Sequence, residues 1–109
     1  MWKCEVCNLI LDVAEPPEKC PRCGAPKEKF SELTGEAKEK VEKSRETNNL
    51  LMELCELMEQ AEAISEEGIE INLDPGCLAL FKKAKEQTEI LKQSAKAEIE
   101  VHVGKGKWG

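Results

Sequence analysis

The chain has 109 residues and a mass of 12.2 kDa, with 22 Asp and Glu against 16 Lys and Arg, for a formal charge of -6. That length holds one ordinary domain or two very small ones, and the acidity argues against a nucleic-acid phosphate backbone as partner. With 40% hydrophobic but only 4% aromatic residues, the chain is too apolar for a disordered tail and too poor in rings for one large core.

No window approaches the roughly 18 apolar residues that a membrane span requires. Met1 runs straight into Trp2-Lys3-Cys4 with no export signal between, so a cytoplasmic protein free of membranes is expected. Six cysteines in a secreted miniprotein would read as disulfides. In a reducing compartment, pairs at Cys-x-x-Cys spacing point to a metal instead. Cys4/Cys7 and Cys20/Cys23 form two such pairs with twelve residues between them, whereas Cys55 and Cys77 stand alone.

Composition divides the chain. Residues 1–35 hold every proline but Pro75, four of the six cysteines, and five Lys and Arg against six Asp and Glu. Residues 36–109 hold eleven against sixteen. A metal-binding domain over 1–35 and a helical hairpin with a strand tail over 36–109 are expected.

Each Cys-x-x-Cys turn supplies two sulfurs, and backbone amides after the first Cys can donate to them. Four thiolates close a tetrahedron suited to zinc or iron. The residue after the second Cys often needs positive φ, which Gly24 supplies freely and Asn8 tolerates. Pro21 and Pro26 stiffen the second turn. Such a site can fold a unit too small to fold on its own core.

Trp2-Lys-Cys4-x-x-Cys7, the acidic and proline-rich Ala14–Lys19, and Cys20-Pro-Arg-Cys23-Gly-Ala-Pro-Lys-Glu-Lys-Phe30 resemble the rubredoxin-like domain of rubrerythrins over about residues 1–33. The resemblance implies that Cys4, Cys7, Cys20 and Cys23 hold one iron ion that exchanges single electrons, with the Cys7 and Cys23 side the more exposed. Asn8 stands where the family usually has Gly, and Leu9 where it has an aromatic. That family couples the module to a di-iron bundle, which needs Glu-x-x-His pairs. The single histidine here, His102, has Ile99 three positions before it, so peroxidase chemistry is not carried over. Zinc, with a purely structural role, is the alternative metal. Trp2 and Phe30 are expected to pack over the metal loops and exclude water.

From Glu36 to about Ser65 no Gly or Pro interrupts a helical pattern in which Val41, Asn48, Leu51, Leu54, Cys55, Met58, Ala61 and Glu62 recur at three- and four-residue steps. Gly68 should stop this helix. Asp74 then reads as an N-cap with Pro75 at the first helical position. The second helix runs to about Glu98, with Cys77, Leu78, Phe81, Ala84, Thr88, Leu91 and Ala95 on one side, and a short connection makes the pair antiparallel.

Leu50, Leu57, Ile64, Leu80 and Ile90 fall off that seam and should stay wet, which implies self-association as a dimer or docking on a protein redox partner. Cys55 and Cys77 read as core thiols, with a bridge or redox pair across the turn as the sharper alternative. Lys82, Lys83 and Lys85 read as a solvated face. Alternation along the tail from Glu98 to Trp108 signals a strand that pairs with the small sheet of the metal domain, bringing Trp108 near that site, or with another subunit, and His102 reads as a solvated tail residue, an added metal ligand being the alternative.

The fold is therefore expected to be small α+β: a metal ribbon, an antiparallel two-helix hairpin and a short C-terminal strand. The function expected is iron-based electron transfer by a carrier that is not itself an enzyme, with a zinc-stabilised assembly module as the alternative.

Overall fold

The computed structural model describes residues 1–109. Three short strands, β1 (Trp2–Cys4), β2 (Ile10–Leu11) and β3 (Phe30–Glu32), form an antiparallel sheet in the order β2-β1-β3, with a 3₁₀ turn at Lys27–Lys29. Trp2 lies opposite Leu11 and Glu32, and Cys4 opposite Phe30. Two long helices follow, α1 (Gly35–Ile71) and α2 (Pro75–Gly104). No helix is long and apolar enough to cross a membrane.

The chain divides into two compact units, Met1–Arg45 with Gly106–Gly109, and Glu46–Lys105. In the first, the sheet covers a small core of Cys4, Cys20, Ala25 and Phe30, against which Trp2, Leu9 and Leu11 pack. The opening of α1 belongs to this unit. Its Val41 is 3% exposed, and Arg45 donates through Nε to the Gly109 carbonyl (2.6 Å) and pairs through Nη1 with Asp12 (2.6 Å).

The second unit is the hairpin. Antiparallel pairing is fixed by contacts at successive levels. His102 Nδ1 donates to Asn48 Oδ1 (2.6 Å), Lys92 pairs with Glu62 (2.6 Å) and Lys85 with Glu66 (3.5 Å). Asp74 caps α2 as expected, its side chain accepting the Cys77 N–H at 2.7 Å with Pro75 in the first turn. Leu50, Leu57, Ile64, Leu80 and Ile90 are all exposed.

Three expectations need correction. Gly68 does not stop α1. It lies inside the helix, buried, where a Cβ would collide with the Phe81 ring. The helix ends instead at Asn72, whose φ of 47° and N–H bond to the Gly68 carbonyl (3.2 Å) turn the chain. The C-terminal strand is absent, because Glu98–Val103 continue α2. Ala95, Ile99 and His102 share one helical face, and a lone strand would leave its backbone groups unpaired where a helix satisfies them internally. The tail beyond it, Gly106–Gly109, does rejoin the metal domain, though not as a strand. Finally, Leu54 and Leu91 are 41% and 49% exposed, not in the seam.

Candidate metal centre

The two Cys-x-x-Cys segments build one motif twice. In the first, the Cys4 N–H donates to the Leu9 carbonyl and the Asn8 N–H to the Cys4 carbonyl, both at 2.8 Å. In the second, the Cys20 N–H donates to the Ala25 carbonyl and the Gly24 N–H to the Cys20 carbonyl, again at 2.8 Å. Asn8 (φ 66°) and Gly24 (φ 77°) occupy equivalent left-handed positions, as the turn requires. Positions sixteen apart therefore repeat the same backbone path.

The repeat brings four sulfurs together. Cys4 and Cys23 Sγ are 3.7 Å apart, Cys7 and Cys20 Sγ 3.6 Å, and all four lie within 4.8 Å of one another. A disulfide would need about 2.05 Å, and all six cysteines are free thiols. A tetrahedron with metal–sulfur bonds of about 2.3 Å has edges of about 3.8 Å. The two shortest approaches match that spacing, so the donor set fits a single tetrathiolate ion, iron or zinc.

Electrostatics support the same arrangement. The Leu9 N–H, together with Arg22 and the neighbouring thiols, outweighs burial and holds the Cys7 thiol down at about 6. Burial raises Cys20, but N–H groups of Cys23 and Arg22 bring it below the ordinary thiol value. The Ala25 N–H lowers Cys23, yet burial and the other three sulfurs together push it up to about 12. Negative charge is thus favoured first on Cys7 and resisted on Cys23 by sulfur–sulfur repulsion, which a central cation would relieve.

Cys4 and Cys20 are buried, Cys7 is half-buried and Cys23 exposed. Phe30 seals the inner side and Trp2 packs beside it, its Nε1 donating to the Ala14 carbonyl at 3.2 Å. Arg22 was not anticipated from the sequence as a structural residue. Its Nη1 donates to the Cys7 carbonyl (2.7 Å), tying one turn to the other. The only signal was a cation placed between the two cysteines of the second pair.

The remaining candidates do not join the site. Cys55 Sγ lies 3.8 Å from the Lys92 carbonyl, while Cys77 Sγ lies 3.5 Å from Asp74 at the start of α2. Lys92 is fifteen residues beyond Cys77, about 22 Å along a helix, so the two thiols do not meet. His102 is held by Asn48 within the hairpin and lies outside the four-cysteine cluster.

Two turns of this kind, closing four cysteines under a three-stranded sheet, define a rubredoxin-like knuckle domain. Residues 2–31 match the family described as rubrerythrin, rubredoxin-like domain, and that segment is a rubredoxin-like domain of the rubrerythrin type. The chain is also similar to reverse rubrerythrin-1 of Clostridium acetobutylicum, 51% identical over 35 residues. That similarity covers 32% of this chain and only 19% of the relative. The family match ends before α1 begins. No solved structure matches the chain.

Proposed function

We propose that the protein is a cytoplasmic iron-binding electron-transfer module, not an enzyme by itself, that docks through its helices on a redox partner or on itself. The observation that carries this reading is the four-sulfur cluster inside a domain of the rubrerythrin rubredoxin-like type. Bound there, iron supplies a one-electron ferric/ferrous couple. Cys4, Cys7, Cys20 and Cys23 would hold the ion, and four thiolates would leave no ligand position for substrate. Backbone N–H groups of Leu9, Arg22, Cys23 and Ala25 offset the thiolate charge of Cys7, Cys20 and Cys23. Phe30 and Trp2 keep water from the inner sulfurs, and both features set the potential of such a centre. The edge formed by half-buried Cys7 and exposed Cys23 is the route by which an electron would leave or arrive.

Zinc would occupy the same sulfurs without redox chemistry, leaving a structural domain and a hairpin for assembly. The purified full chain separates the readings. Iron gives a red protein that bleaches with dithionite and recolours in air, with one iron per chain by elemental analysis. A colourless protein carrying one zinc, from native source grown without oxygen, rejects the electron-transfer reading.

A further inference from the structure

The hairpin has two unlike sides. On α1, Asn48, Cys55 and Glu62, and Leu51, Met58 and Ser65, repeat every seven residues and line the seam with α2. A second pair of seven-residue rows runs beside them: Leu50, Leu57, Ile64 and Ile71, then Leu54 and Ala61, the latter row entering the seam at Gly68, which is buried against Phe81. The first of these rows is 58%, 51%, 63% and 68% exposed. On α2 the seam repeats as Phe81, Thr88, Ala95 and His102, and the adjoining rows are Ala84, Leu91 and Glu98, then Leu80, Gln87, Ser94 and Val101.

In an antiparallel pair, the row flanking the seam on one helix lies on the same side as its equivalent on the other. The α1 rows of Leu, Ile and Ala and the α2 row of Ala84 and Leu91 therefore share one side. The opposite side is charged: Glu59, Glu62 and Glu66 line a shallow recess with Lys92, and Lys85 pairs with Glu66 there.

We propose that the apolar side is the interface between two copies of this chain, which stack as a four-helix bundle. The α1 rows keep a seven-residue period along that helix, and Ala84, Leu91, Leu80 and Val101 extend the apolar side onto α2, so its complement is a pair of antiparallel helices of similar length. The hairpin itself is such a pair. Charge chooses the arrangement. Between Glu46 and Ile71 the chain has eight Glu and no Lys or Arg, whereas α2 carries five Lys and four Glu. Stacking α1 on its copy would oppose two acidic helices, so each α1 lies on the partner's α2. A two-fold axis along the helices achieves this and makes every neighbouring pair antiparallel.

The area suffices. About 26 residues at 1.5 Å rise, across two helices about 10 Å apart, cover about 800 Å² per copy, the size of a standard stable interface. This inference rests on the docking half of the proposed function and is independent of which metal the cysteines hold.

Sedimentation equilibrium on the full metal-loaded chain tests it. A mass of twice 12.2 kDa is expected, and Leu57→Glu should weaken the dimer at least about a hundredfold by burying a charge in the interface. Met52→Glu, on the charged side, should leave it intact. Because Leu57→Glu can also loosen the helices, the thermal midpoint of the unmutated chain is followed over a hundredfold dilution, and a fall with dilution is expected. A 12.2 kDa species with a concentration-independent midpoint overturns the proposal. So does a dimer that Leu57→Glu spares or Met52→Glu breaks, and so does a complex with an unlike chain on this side.

Discussion

The metal domain and the hairpin solve opposite problems. In the first unit few residues must be placed by many short-range constraints: two turns built alike, a three-stranded sheet and a core of Cys4, Cys20, Ala25 and Phe30. In the second a long seam is held with little apolar burial. Ala95 is its one buried hydrophobic residue, alongside Asn48 and Ser65. Its specificity comes from side-chain pairs spaced along the seam, which fix register more than they add stability. A unit organised this way needs either an ion at its centre or a cover on its outer face. The first unit has the donors for the ion, and the second has the exposed rows for the cover.

The most severe way to break the comparison is to remove the ion. Chelation, or Cys20→Ser at a buried ligand, should cost the metal domain of order 10 kcal/mol and unfold it. The tertiary signal of Trp2 should vanish while most far-UV helicity remains. Loss of helicity in step with the tryptophan signal would show that the two units fold as one.

A smaller test lies where Gly68 of α1 meets the Phe81 ring of α2. Gly68→Ala should stabilise an exposed helix by about 1 kcal/mol. Here its Cβ meets the Phe81 ring, so a net loss of about 1–3 kcal/mol is expected from overpacking. The sign is the test, read by urea denaturation, and Phe81→Leu in the same chain should recover part of the loss. Asn48→Leu probes the polar seam further along. It strips the half-buried His102 of a partner and should cost about 1–3 kcal/mol, whereas Asn48→Leu with His102→Leu should come closer to the parent.

The metal centre was legible because its chemistry is local. Two Cys-x-x-Cys turns, with Gly24 and Asn8 where positive φ is needed, specify most of their own geometry. The hairpin was legible in its seam and cap, since Asn48, Cys55, Glu62 and Thr88 keep helical spacing and Asp74-Pro75 marks a start. What failed were readings that depend on a distant partner. Gly68 reads as a breaker until Phe81 is known to press on it. Ile99, Val101 and Val103 fit a two-residue period as well as a helix, and only the contact of His102 with Asn48, 54 residues away, decides between them. The Arg45–Asp12 pair and the bridge from Arg22 to Cys7 likewise join residues that no local pattern relates.

The mildest perturbation, pH, should separate the units by sign. Lys92, only 15% exposed in its pair with Glu62, is raised above its ordinary value by the hydrogen bond it donates to that carboxylate. Its contribution to the hairpin is complete below about 10.4, where the unfolded lysine is still charged, and disappears as pH climbs through the raised folded value. Asp12 is lowered by its hydrogen bond from Arg45. Its contribution to the metal domain is complete above about 3.9 and disappears as pH falls through the lowered folded value. Lys92→Met should therefore flatten the alkaline limb of hairpin stability, followed by helicity, and leave the acid limb alone. Asp12→Asn should act on the acid limb of the tryptophan signal only, and less strongly, because that pair is open to solvent. If either variant altered both limbs, the ion pairs would be coupled through the length of α1, and the division at Arg45 would not be a division in energy.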